Sequence, residues 1–149
     1  YIGIAALAGI NFTHKRAELL VGVFKNEHRT SSYAIEAALG IMGYAYNQLR
    51  INRLECLIYD YNIKASKTAK SLGFKYEGTK KEYIYSRIDH KYIDLCYYAL
   101  NEKNFRMNKK LSFLSKKLLS SDITSRPPPI TFPVNSQTED HKLSFITYT

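Results

Sequence analysis

The hydrophobic pattern changes its period along the chain, and this restricts the fold more than any other feature. Short apolar runs separated by the polar turn NFTHKR are typical of two antiparallel strands. From Tyr33 to about Leu49 the apolar residues recur at helical spacing in an Ala-rich segment, which predicts a helix. The predicted elements are strands at residues 1–10, 17–24, 53–61, 75–87 and 91–100, and helices at 33–49 and 62–74. Their order predicts a mixed α/β (α+β) fold.

The pattern predicts one domain and a tail. Residues 1–105 form the predicted domain, because all seven elements lie there. The basic run NKKLSFLSKKLLSSD favours a solvated, half-ordered helix, with a membrane-surface helix as the alternative. Three successive prolines then exclude helix or central strand. Residues 106–149 are therefore interpreted as a basic, proline-containing flexible tail.

The net charge of +9 favours an anionic partner, with a lysine-rich solvated surface as the alternative. Cys56 and Cys96 lie among apolar neighbours without metal-ligand spacing, so they are interpreted as buried structural thiols and no metal is expected. No apolar run approaches the roughly 20 residues of a membrane span, and a cytoplasmic location is expected. The chain opens on Tyr1 inside an apolar run, which we interpret as a strand of a truncated domain.

The stretch HRTSSYAIEA, residues 28–37, begins the first predicted helix and has two interpretations. Ser31 or Ser32 could simply cap the helix. Alternatively, small residues before a helix N-terminus allow the backbone N–H groups to approach a phosphate closely. Glu36 in the first turn favours the helix dipole and is expected to point away from the loop.

Four blocks in this order resemble a known family. They are AELLVGV (17–23), RTSSYA (29–34), the segment NIKASKTAKSLGFKYEG (62–78), and KYIDLCYYAL with Asp94. Together they resemble the GNAT superfamily of acyl-CoA-dependent N-acyltransferases, in particular the ribosomal-protein N-terminal acetyltransferase-like branch. The resemblance implies a largely antiparallel sheet flanked by helices, here without the family's first strand and helices.

The resemblance also implies a function, the transfer of an acetyl group from acetyl-CoA to a primary amine by direct attack. The acceptor would be a protein N-terminus, an amino sugar or another small amine. Glu18 matches a carboxylate that draws a proton from the amine through water. The residues implied in binding acetyl-CoA are Val23, Arg29, Thr30, Ser31, Ser32, Tyr33, Ala34 and Asn62.

Two departures from the family's pattern motivate an alternative function. Ser32 stands where the family has its first loop glycine, and Ala69 stands where many relatives have a tyrosine acid. The alternative is a catalytically degenerate, coenzyme A-binding or structural module. A basic RNA-associated protein was the third hypothesis, but the chain lacks an aromatic-glycine RNA-binding signature, so nucleic acid is not expected as a partner. A homodimer is a candidate assembly.

Overall fold

The computed structural model describes residues 2–24 and 32–127 of the chain. Five strands form one sheet in the order β1-β2-β3-β5-β4. The strands are β1 (Gly3–Asn11), β2 (Arg16–Val23), β3 (Arg53–Tyr59), β4 (Lys75–Ser86) and β5 (Lys91–Asn101). The helices are α1 (Tyr33–Asn47), α2 (Ile63–Ser71), α3 (Glu102–Arg106) and α4 (Lys109–Leu119). The predicted mixed α/β class with a mostly antiparallel sheet is confirmed.

Hydrophobic periodicity explains the layers. Alternate residues of β2, Ala17 and Leu19, are buried, and they belong to one apolar core together with Leu39, Met42 and other residues of α1. The neighbouring β2 residues are more exposed, so the sheet has a second face opposite α1, which is polar at Arg16 and Glu18 and apolar at the exposed Leu20. Because of this alternation, charged side chains of the central strands lie on the face of the sheet that the described helices of the core do not cover.

The segment after residue 105 differs from its interpretation as a solvated tail. Leu111 of α4 is fully buried, and Leu114 and Leu118 pack against the same core as α1. The guanidinium of Arg106 donates to the carbonyl oxygens of Tyr46 at 3.3 Å and Thr124 at 3.2 Å, which ties this segment to α1. The leucines at helical spacing therefore cover the core instead of facing water. Of the predicted tail, residues 128–149 lie outside the described residues.

Two smaller expectations can be compared directly with the structure. Cys56 is buried, Cys96 is half-buried, and both are free thiols. Within residues 2–24 and 32–127, every helix is too short or too polar to cross a membrane.

Candidate functional site

An opening in the centre of the sheet is created where β2 and β3 stop pairing. These two strands are parallel, but their ladder contains only three residue pairs, from Arg16–Arg53 to Glu18–Glu55. Beyond this point β2 continues to Val23 and β3 continues to Tyr59. The two carboxyl-terminal strand halves therefore lie beside each other without a shared ladder.

Backbone N–H groups of β2 point into this opening. The amide of Phe24 donates to the carbonyl of Ile2 at 2.9 Å, which shows that even-numbered residues here direct their polar groups toward β1. At the other end, the carbonyl of Lys15 accepts from the amide of Arg53 at 3.0 Å, so odd-numbered residues face β3. The amides of Val21 and Val23 consequently face the opening.

Gly22 lies in the part of β2 that borders the opening. The structure pairs Gly22 regularly with Ile4, and the irregularity in the β1–β2 ladder lies between Ala8 and Asn11. That bulge contains Gly9 with φ +54°, a conformation that glycine adopts readily. The opening thus results from the early end of the β2–β3 ladder and not from a kink at Gly22.

Two helix N-termini lie at the edge of this opening. Because β2 and β3 are parallel, their carboxyl ends share one edge of the sheet. Helix α1 follows β2 and helix α2 follows β3, so both helices direct their positive dipole ends to that edge. Sheets of this kind bind ligands outside the carboxyl ends of parallel strands.

Three of the predicted cofactor-binding residues meet at the start of α1. Val23, Tyr33 and Ala34 line a small, largely apolar pocket of about 150 Å³ between β1, β2 and the first turn of the helix. Arg29, Thr30 and Ser31 lie outside the described residues. The part of the predicted phosphate loop that the structure describes is therefore its junction with the helix.

Ser32 occupies the N-cap position of α1, but its side chain does not cap the helix. Its backbone is helical, with φ −70°, so the position does not require glycine. The hydroxyl instead donates to the carboxylate of Glu36. The expectation that Glu36 points away from the loop is therefore wrong, because this carboxylate lies against the helix start.

Asn62, one of the residues implied in binding acetyl-CoA, is the N-cap of α2. Its Oδ1 accepts from the amide of Ala65 at 3.1 Å. The side chain remains exposed at the mouth of the opening. Its Nδ2 group takes no part in the cap.

Glu18 and Glu55 lie side by side on the polar face of the sheet, at the last residue pair of the β2–β3 ladder. Burial, followed by the nearby Glu55 carboxylate, raises the pKa of Glu18, and Lys80 opposes this shift. Burial acts in the same direction on Glu55. However, hydrogen bonds from Tyr97 and from Arg53, the latter at 2.7 Å, lower the pKa of Glu55 overall.

The environments of these two carboxylates therefore differ in a way that suits acid–base chemistry. Glu55 is held ionised by its partners, whereas Glu18 has the more basic carboxylate. Sequence reasoning selected Glu18 and missed Glu55, Arg53 and Tyr97. The signal was the alternation of charged and apolar residues in RLECL, which marks the polar face of a strand.

Asp94 stabilises the β4–β5 hairpin. Its carboxylate accepts from the Lys81 ammonium at 2.6 Å and from the amide of Glu82 at 2.9 Å. Glu82 has φ +50° and lies in the irregular part of the β4–β5 ladder between Lys80 and Ile84. These contacts give Asp94 a structural role in the hairpin.

The geometry defines a class of protein, an α/β sheet whose two parallel strands stop pairing and leave an opening beside two helix N-termini. Residues 1–96 match the family described as the acetyltransferase (GNAT) domain. The chain therefore belongs to the GNAT acetyltransferase family.

Several solved structures share this fold. A crystal structure of an inferred acetyltransferase has 18% sequence identity and a TM-score of 0.71, covering 81% of this chain and 60% of its own. A mutant of the spermidine N-acetyltransferase SpeG from Vibrio cholerae has 24% identity and a TM-score of 0.62, covering 67% and 57%. A dodecameric spermidine N-acetyltransferase from the same organism has 22% identity and a TM-score of 0.61, covering 80% and 61%.

These similarities concern the fold and only part of the relatives. The chain spans about 60% of the length of the structures that it matches. No curated protein sequence is significantly similar to it. In the described part of the chain, no group of three or more His, Cys, Asp or Glu side chains could hold a metal ion.

Proposed function

We propose that this chain transfers an acetyl group from acetyl-CoA to a primary amine in the opening between β2 and β3. The nitrogen of the amine attacks the thioester carbonyl, the carbon–sulfur bond breaks, and coenzyme A leaves as a thiolate that takes up a proton. The observation that carries this proposal is the early end of the β2–β3 ladder, which directs the amides of Val21 and Val23 into the opening.

The opening suits a ligand that is extended and phosphorylated at one end. A strand edge with unpaired amides can bind the amide groups of a pantetheine arm, as an added strand would. The N-terminus of α1, preceded by Arg29, Thr30 and Ser31, offers N–H groups and positive dipole charge to a diphosphate. Ser32, Tyr33 and Ala34 then form the start of the helix, and Asn62 offers an amide across the opening.

We assign the proton acceptor of this reaction to Glu18. Its carboxylate lies at the closed end of the opening, and its raised pKa brings it nearer to the range in which a base is effective. Glu55 acts as a positioning residue, since its negative charge contributes to the raised pKa of Glu18.

Direct attack is favoured over an acyl-enzyme on Cys56. Burial, followed by the charge of Glu18, raises the pKa of the Cys56 thiol to about 12. A thiol with such a pKa is almost entirely protonated at neutral pH and is a poor nucleophile. Catalysis would then rest on bringing the amine and thioester together and on moving the proton.

The acceptor is proposed only as a primary amine. The resemblance to the ribosomal-protein branch suggests a protein N-terminus, and the solved relatives include enzymes named as spermidine N-acetyltransferases. A homodimer and a cytoplasmic location remain predictions for this chain.

The test combines coenzyme A binding with turnover. Calorimetry on the full chain is expected to detect coenzyme A, and acetyl-CoA consumption is expected with at least one of spermidine, an amino sugar or a peptide N-terminus. Val23→Pro removes the amide that faces the opening without removing a β1 bond, whereas Val23→Ala keeps that amide. We expect only Val23→Pro to raise the KM for acetyl-CoA. Binding without turnover on any amine would instead support a degenerate module that binds coenzyme A. Absence of binding would refute both of these functions and leave the structural module.

A further inference from the structure

A second concavity lies at the opposite end of β2 from the coenzyme A opening. It has a volume of about 540 Å³ and is lined mainly by polar and charged side chains. It is formed by the β1–β2 turn, the connection from α1 to β3, and the residues around α3. Its principal lining residues are His14, Lys15, Arg50, Asn52, Glu102 and Arg126.

The charge of this cleft is unbalanced. Three permanent cations, Lys15, Arg50 and Arg126, face one carboxylate, Glu102. That carboxylate is already engaged, because Arg106 contacts it at 3.1 Å and Arg126 at 3.4 Å. Throughout residues 2–24 and 32–127, Lys15 and Arg50 form neither a salt bridge nor a side-chain hydrogen bond. The cleft thus offers two cations without an internal counter-charge.

Backbone hydrogen bonds fix part of the main chain beneath this cleft. Lys15 and Arg50 have φ values of +50° and +55°, in the left-handed region that non-glycine residues rarely adopt. The carbonyl of Lys15 accepts from the amide of Asn52 at 2.7 Å, and the carbonyl of Asn52 accepts from the amide of Glu102 at 2.7 Å. Three separate chain segments are therefore tied together beneath the cleft, and this fixes the main chain from which the Lys15 side chain extends.

We infer that this cleft binds a small molecule carrying two or more phosphate groups. Arginine and lysine side chains are the usual partners of phosphate, and His14 and Asn52 can add hydrogen bonds. The volume lies in the range of about 300–1,000 Å³ that is typical of small-molecule sites. Lys15 and Val23 are separated by about 26 Å along β2 at ~3.3 Å per residue. The phosphates of acetyl-CoA at the start of α1 are consequently a separate site.

The shape of the cleft favours a small polyphosphate over RNA. Single-stranded RNA sites combine a basic groove with several aromatic stacking platforms. Here the cations converge on one concavity, and His14 is its only aromatic lining residue among those that the structure describes.

The test uses inorganic tripolyphosphate and the full chain in calorimetry, with saturating coenzyme A present to occupy the other site. We expect binding that weakens about tenfold for each of Lys15→Gln and Arg50→Gln, since each removes one charge-assisted contact. Lys110→Gln, which removes an exposed lysine from α4, is the matched control and is expected to leave the affinity unchanged. The unfolding temperature without ligand monitors the fold of each variant.

The possible outcomes separate the alternatives. Equal affinities for the wild type, Arg50→Gln and Lys110→Gln would overturn the inference, as would complete loss of binding when coenzyme A is added. A 30-nucleotide RNA that binds through Lys15 and Arg50 at least a hundredfold more tightly than tripolyphosphate would replace the small molecule by a nucleic acid. None of these results depends on acetyl transfer, so the cleft and the proposed function can fail independently.

Discussion

Replacing Glu36 by Gln is expected to tighten the binding of coenzyme A and to weaken the fold slightly. The Glu36 carboxylate accepts a hydrogen bond from Ser32 at the head of α1. A diphosphate oxygen bonded to an amide of the same turn would lie two hydrogen-bond lengths away, roughly 5–6 Å from the carboxylate. At about 6 Å two like charges repel by about 0.7 kcal/mol in water and about 3 kcal/mol at an effective dielectric of about 20.

The half-exposed position of Glu36 favours the lower part of this range. We therefore expect Glu36→Gln to lower the Kd for coenzyme A by about threefold to tenfold. A negative charge in the first turn stabilises a helix by about 0.3–1 kcal/mol, so removing it should lower the free energy of unfolding by about this amount. Calorimetry should accordingly show a higher affinity for coenzyme A, whereas urea unfolding should show a lower free energy of unfolding.

Asp89→Asn is the matched control for this prediction. Asp89 is exposed in the β4–β5 turn, accepts from the Ser86 hydroxyl at 3.0 Å, and carries the same charge. An equal gain in affinity for Asp89→Asn would show that only net charge matters. An unchanged or weaker affinity for Glu36→Gln would refute the placement of the diphosphate beside Ser32. Raising the salt to about 1 M, where the Debye length is about 3 Å, should remove most of the gain.

Three further predictions concern the proposed base Glu18, the packing of α1 against Ile123, and the stability of the fold at acidic pH. If Glu18 is the base, kcat/KM should fall as pH decreases through the raised pKa of Glu18, at a pH above the ordinary range of glutamate. Glu18→Gln should lower kcat and remove this pH dependence, and it should leave the affinity for coenzyme A unchanged. The new Cβ of Gly40→Ala in α1 meets no atom within 4 Å, so this change should stabilise the protein by about 0.5–1 kcal/mol. The new Cβ of Gly43→Ala would lie 3.0 Å from Ile123. Urea unfolding should therefore show Gly43→Ala to be at least about 1 kcal/mol less stable than Gly40→Ala. Hydrogen bonds from Ser112 and Thr124 lower the pKa of Asp122, so its ionised carboxylate stabilises the fold above its unfolded pKa, and this stabilisation is lost as pH falls through the folded pKa. The difference in unfolding free energy between the wild type and Asp122→Asn should therefore shrink below about pH 4. A difference that stays constant with pH would contradict this.

The order of the strands and helices up to Asn101 could be predicted because each element satisfies a local rule. The change of period near Tyr33 marks α1, and Asn62 caps α2 as a residue of its type should. The packing of α4 could not be predicted in this way. Its leucines show only that one face is apolar, and the surface that covers this face lies on α1, more than 60 residues earlier in the chain. An amphipathic pattern alone does not distinguish a docked helix from a solvated one.

The candidate site was predictable to a different extent for each residue. Val23, Tyr33 and Ala34 come together at one pocket because α1 follows β2 in the chain and begins beside the end of that strand. The partnership of Glu18 with Glu55 depends on the register of a parallel pair whose strands are separated by a whole helix. Register between distant strands is set by tertiary packing, so Glu18 could be selected from the sequence, whereas its neighbour Glu55 could not.

The site proposed between β2 and β3 depends little on side-chain identity, and the solved structures with this fold are only 18–24% identical to this chain. The groups that face the opening are main-chain amides, which every residue except proline supplies. Side-chain identity matters there mainly through size and charge, as at Ser32 and Glu36, where a hydroxyl and a carboxylate occupy the head of the helix. Side chains matter more for the proposed chemistry beside Glu18, where burial and then the neighbouring Glu55 carboxylate raise the pKa of Glu18. Substitutions in the opening should therefore change cofactor affinity by modest factors, whereas substitutions on the polar face should change turnover.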